Sequence, residues 1–81
     1  MIYNMNEIKF EENIYNIIRK NIKKYRKERR MTAQQLADLV NRSHDFIRQI
    51  EIENSRYNFS VETLYRISVA LNVPLNKFVE K

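Results

Sequence analysis

Ser43, His44, Asp45, Arg48 and Gln49 crowd into one short stretch that also holds Phe46, Ile47 and Ile50. If that stretch is a helix with its three apolar residues turned inward, the polar side chains fall on the other faces. Their common chemistry is hydrogen bonding to heterocycle edges and to oxyanions. The Gln49 amide can pair with adenine through N6 and N7, and Arg48 can pair with guanine or with a phosphate. His44 can touch a base or a phosphate, or simply face water. Asp45 can accept from cytosine N4 or complement the positive end of a helix. Phe46 can contact a thymine methyl or serve as partial core. Each polar residue also has the plainer role of solvating an exposed helix face.

Composition narrows the alternatives. The chain has 81 residues, no glycine, no cysteine, one proline and one histidine. Glycine-built phosphate loops and dinucleotide turns need backbone without a Cβ, so neither can be built. Hairpin turns of types I′ and II′ lose their favoured residue, which argues against an all-β chain. Without cysteine there is no disulfide, no zinc finger and no thiol nucleophile. One histidine cannot supply a two-histidine metal site. An enzyme is therefore not expected, and no cofactor is called for. No apolar run approaches the ~18 residues of a membrane span. The N-terminus lacks the pattern of a secretory signal, so a cytoplasmic protein is expected.

The elements that must position the polar stretch follow from apolar periodicity. Residues 1–9 show no clean period and are expected to form an N-terminal arm, with one domain over 10–81. Phe10, Ile14, Ile17, Ile18, Ile22 and Tyr25 have helical steps. They predict a long first helix from Phe10 to Arg30, with Lys20, Lys23, Lys24 and Lys27 on the opposite face. Thr32-Ala33-Gln34-Gln35 fits a capping box opening a second helix, whose apolar residues are Leu36, Ala37, Leu39 and Val40. Asn41 ends it, asparagine being the residue nearest to glycine in tolerating a left-handed turn. Ser43 caps the third helix. A polar loop runs from Ile52 to Phe59. Ser60 caps a fourth helix with Val61, Leu64, Ile67, Ser68 and Leu71 inward, and Asn72 ends it. Pro74 suits the first turn of a fifth, short helix carrying Leu75, Phe78 and Val79. The expected fold is all-α: five helices in one compact domain.

Charge is concentrated rather than spread. The net charge is +5, yet residues 19–30 alone hold eight basic residues against one Glu. A dense basic block attracts polyanions such as nucleic acid or an anionic membrane surface. It can equally be one solvated helix face.

Two short helices joined by a turn at Asn41, with small Ala37 where they cross, form a helix-turn-helix pattern. Here the sequence resembles a known family, the Cro and phage-repressor type of helix-turn-helix, also called the xenobiotic-response-element family. I-R-K-N-I-K-K-Y-R-K-E-R-R-M-T is similar to its first helix and turn. Q-Q-L-A-D-L-V-N-R-S matches its L-A-x-x-x-G-x-S core, and F-I-R-Q-I-E the end of its recognition helix. F-S-V-E-T-L-Y-R-I-S-V-A-L-N-V-P matches the run that follows. The likeness covers about Ile14 to Val79, and it rests on the ordered set rather than on any one piece.

The resemblance implies a role for each matched position. Base contacts fall on His44, Asp45, Arg48 and Gln49, and a phosphate contact on the N-cap residue Ser43. Thr32, Arg42, Arg56 and Tyr57 join Ser43 as candidate backbone contacts. A buried ion pair tying the first helix to the third falls on Arg26 and Glu51. In the last helix Leu75, Phe78 and Val79 are more often core, and the resemblance also offers them as a possible dimer interface. The departures are specific. Arg30 and Asn41 stand where glycines are usual, Arg42 replaces an apolar turn residue, and Ala33 replaces a phosphate-binding Gln. The glycine after the third helix has no clear equivalent, and the Ile52–Phe59 loop is about two residues longer than usual. The implied function is a regulator that binds double-stranded DNA, a repressor acting as a homodimer on a pseudo-palindrome. The rival is an antitoxin that binds a toxin and autoregulates its operon. A membrane binder is disfavoured, because the core needs the apolar face of the first helix.

Overall fold

The computed structural model describes residues 13–81; the expected arm and Phe10 lie outside them. Four α-helices follow one another: α1 (Ile14–Glu28), α2 (Ala33–Leu39), α3 (His44–Ile50) and α4 (Val61–Leu71). The fifth element, Leu75–Val79, is a 3₁₀ helix rather than an α-helix. It is only five residues long and has no side-chain cap at Pro74, so tighter i→i+3 closure is the geometry available to it.

Serine, threonine or asparagine starts each α-helix. Asn13, Thr32, Ser43 and Ser60 have extended backbone, and their side chains accept the orphan N–H groups of the first turn. The capping box at α2 is reciprocal. The Thr32 hydroxyl accepts from the Gln35 N–H at 3.0 Å, and the Gln35 side-chain carbonyl accepts from the Thr32 N–H at 2.8 Å. At the other ends, Arg30, Asn41 and Asn72 adopt left-handed φ values of 56°, 57° and 54°. Behind each, the next N–H reaches back to close the helix: Met31 to the Arg26 carbonyl, Arg42 to Ala37 and Val73 to Ser68. These are Schellman closures, which glycine ordinarily makes. Asparagine substitutes at modest cost, whereas Arg30 carries a Cβ in a region that costs roughly 1–2 kcal/mol.

The core joins Ile18 and Ile22 of α1, Leu36, Ala37 and Val40 at α2, and Phe46, Ile47 and Ile50 of α3. Ile67 and Leu71 of α4, then Val73 and Phe78, complete it. The α2–α3 pair packs tightly around Ala37, which has no exposed surface. Several expected core residues are instead outside. Leu39 and Val61 are 61% and 79% exposed, and Ile14 is also exposed. Val61 is the first residue of α4, and Thr63 takes the inward place at that end. Phe78 is fully buried and meets Tyr25 edge-on, so it is core and not a dimer contact. Leu75 and Val79 remain exposed beside it.

Candidate nucleic-acid interface

The helix-turn-helix angle is set at Asn41. Its left-handed backbone lets the Arg42 N–H return to the Ala37 carbonyl at 2.9 Å, and the chain then leaves α2 at once for α3. Ser43 opens α3 by accepting the Phe46 N–H at 3.0 Å. Phe46, Ile47 and Ile50 are buried; His44, Asp45 and Arg48 are exposed, and Gln49 is half-exposed. The structure therefore groups these polar residues on the outer surface of one short helix. Asp45 lies in its first turn and Arg48 in its last, each complementing the helix dipole.

Arg42 and Thr32 stand at the heads of the turn and of α2, both exposed. The Arg42 guanidinium lies over the Phe46 ring, 3.7 Å from its centroid. Phe46 is only 8% exposed, which makes it core capped by Arg42.

Arg26 and Glu51 meet in a two-pronged ion pair, Nε–Oε2 at 2.7 Å and Nη2–Oε1 at 2.9 Å. Both side chains are largely buried, and Arg26 also donates from Nη1 to the Met31 carbonyl at 2.9 Å. Hydrogen bonding to Glu51 holds the Arg26 pKa above its ordinary value, against the opposing pull of burial. One guanidinium thus fixes the end of α3 and the turn into α2 relative to α1.

Residue patterning did not single out a second arginine, Arg19. It is 3% exposed and donates to the carbonyls of Ile50 at 3.0 Å, Tyr57 at 2.7 Å and Ser55 at 3.4 Å. Burial lowers its pKa. The head group also lies over Phe59, 5.4 Å from the ring centroid, and Tyr15 meets the same ring edge-on. Arg19 binds the loop after α3 to the C-terminal end of α3. Asn16 fastens the same loop, trading two hydrogen bonds with Asn54, whose φ is 60°. Asn54 is thus the left-handed residue after the third helix that the sequence lacked a glycine to mark. Arg56 and the 45%-exposed Tyr57 project from this fastened loop. The available signal was spacing: Tyr15, Arg19, Ile22 and Arg26 share one helical stripe.

The basic block of α1 therefore divides. Arg19 and Arg26 face inward, and Arg29 caps the end of α4 by donating to the Leu71 and Asn72 carbonyls at 2.7 and 3.1 Å. Lys20, Lys23, Lys24 and Lys27 are exposed, with the Lys24 ammonium 5.1 Å from the Tyr25 ring centroid. No helix among the described residues is long and apolar enough to cross a membrane.

Comparison with known proteins agrees with this geometry. A family model described as Helix-turn-helix matches residues 22–78. The chain is 40% identical over 58 residues to an immunity repressor protein of Bacillus phage phi105. That match covers 72% of the chain but 39% of the phage protein, so the chain spans well under half of its relative's length. Among solved structures it resembles SinR, a master regulator for biofilm formation crystallised in complex with DNA. The TM-score is 0.70 at 28% identity, covering 78% of this chain and 98% of that one. A hypothetical transcription factor, NHTF from Neisseria, shares the fold, with a TM-score of 0.73 at 15% identity over 82% of this chain and 72% of its own. With the turn at Asn41, the Arg26–Glu51 tie and the matched residues all falling in one register, the chain belongs to the Cro and phage-repressor type of helix-turn-helix family.

Proposed function

We propose that the protein binds double-stranded DNA sequence-specifically and regulates transcription, as a repressor acting in the cytoplasm. The observation that carries this reading is α3: its polar residues face outward from a turn closed at Asn41, on a rigid base of buried residues. In a helix-turn-helix the second helix enters the major groove and its N-terminal residues meet base edges. His44, Asp45, Arg48 and Gln49 are the base contacts in this reading. Thr32, Arg42, Ser43, Arg56 and Tyr57 contact the backbone, fixing position rather than sequence. The four exposed lysines of α1 add long-range attraction without reading bases. SinR was crystallised with DNA and the phage relative is named a repressor, which supports the same reading. The proposed activity is binding rather than catalysis.

The active form in this proposal is a two-fold dimer on a pseudo-palindrome, with half-site centres about 34–36 Å apart. Exposed Leu75, Val79, Tyr65 and Val69 supply apolar surface for a second copy. Selection of bound sequences from random DNA, at stated salt, tests the first claim by enriching two inverted half-sites. Sedimentation tests the second. A chain that stays monomeric at micromolar concentration, with and without the selected duplex, would reject the dimer.

A further inference from the structure

Arg42 occupies a position that a Schellman closure usually gives to an apolar side chain, which packs back against the helix just ended. Here the residue facing it across that closure is Ala37, which is fully buried and small. Instead the Arg42 side chain turns toward α3, and its guanidinium lies 3.7 Å from the centre of the Phe46 ring. Stacking uses the flat face of the guanidinium and leaves its in-plane N–H donors available. Arg42 makes no side-chain hydrogen bond or ion pair among the described residues. Arg19, Arg26 and Arg29, in contrast, direct their donors to backbone carbonyls or to Glu51. Arg42 is thus a held, exposed and unused donor fork, immediately before the Ser43 cap of α3.

We propose that Phe46 is a positioning residue: its ring fixes the Arg42 guanidinium so that the in-plane N–H groups meet a phosphate of the DNA backbone. The proposal rests on the DNA-binding reading above. The ligand is a phosphodiester oxygen rather than a base edge, because the stack draws the head group back onto the body of the domain. A free arginine would have to order several rotors on binding; here the ring has already restricted them. Lysine cannot replace it, since an ammonium has neither the fork nor the plane.

The test measures affinity of the full chain for two duplexes, one selected for binding and one of random sequence, across a range of salt. Arg42→Lys keeps the charge and should weaken both about two- to fivefold, the effect of an exposed stack. Arg42→Ala should weaken both at least as much and reduce the salt slope by about one. Phe46→Leu keeps apolar volume and should weaken both about two- to fivefold in the parent, but leave the Arg42→Ala variant unchanged. Thermal melting of each variant reports the fold separately. If Phe46→Leu melts early, the exposed Arg42→Lys change still tests whether the flat guanidinium fork is needed. Equal effects of Phe46→Leu in both backgrounds, parental affinity of Arg42→Lys, or a loss confined to the selected duplex would each overturn the proposal. A parent chain that binds neither duplex would overturn the DNA-binding reading and this one with it. A parent that binds while the cycle is additive rejects the role of Phe46 alone.

Discussion

The inward face of α1 and the outward face of the turn and α3 carry the same kinds of side chain and use them oppositely. Arg19 and Arg26 on α1, with the exposed Arg29 just past its end, are committed to the Ile50, Ser55, Tyr57, Met31, Leu71 and Asn72 carbonyls and to Glu51. On the other face, Arg42, His44 and Arg48 are exposed and make no side-chain ion pair among the described residues. The first set costs desolvation and returns rigidity; the second stays hydrated and available to a ligand. Position decides which it is: a basic residue in the stripe of Ile18 and Ile22 is structural, however dense the charge around it.

Breaking the inward set should affect stability first. Glu51→Ala leaves the buried Arg26 without its partner and should cost about 3–5 kcal/mol, read as an early thermal melt. Arg19→Met removes the donor to three carbonyls around the α3–α4 loop and should cost about 2–3 kcal/mol. It should also loosen Arg56 and Tyr57, read as faster amide exchange from Ser55 to Tyr57. The outward set should respond in binding instead. Gln49→Ala should weaken the selected duplex by about 1–3 kcal/mol while leaving the melt and the random-duplex affinity unchanged. Equal loss on both duplexes would remove Gln49 as a base reader. Arg30→Gly is the smallest effect and has the opposite sign. It relieves a Cβ in the left-handed region, offset by the greater freedom of glycine in the unfolded chain. It should raise stability by about 0.5–1 kcal/mol without altering DNA affinity.

Much of this organisation was legible from residue types. The caps at Thr32, Ser43 and Ser60 mark helix starts because short polar side chains satisfy local N–H groups. Asn41 and Asn72 mark helix ends because few other residues enter the left-handed region cheaply. Such signals are local, and the caps and left-handed ends lie at these residues. What escaped the sequence is long-range. Arg19 read as one more cation in a basic block, since the carbonyls it binds lie more than thirty residues away. Asn54 went unmarked for the same reason, its partner Asn16 being on α1. Phe78 reads as core or interface, and Val61 as inward, because an apolar residue near an element's end can face either way. Only packing against Tyr25 decides for Phe78, and the inward turn of Thr63 decides for Val61. The exposed polar face of α3 is visible as a pattern, and the resemblance to the helix-turn-helix family implies the role proposed for each residue.

Amide chemical-shift mapping during titration with a selected duplex tests the division between the two faces most directly. The largest changes are expected at 42–49 and 56–57, with small changes at Lys20, Lys23, Lys24 and Lys27. Changes concentrated on those α1 lysines, with α3 silent, would contradict that division and place the DNA on the wrong side of the molecule.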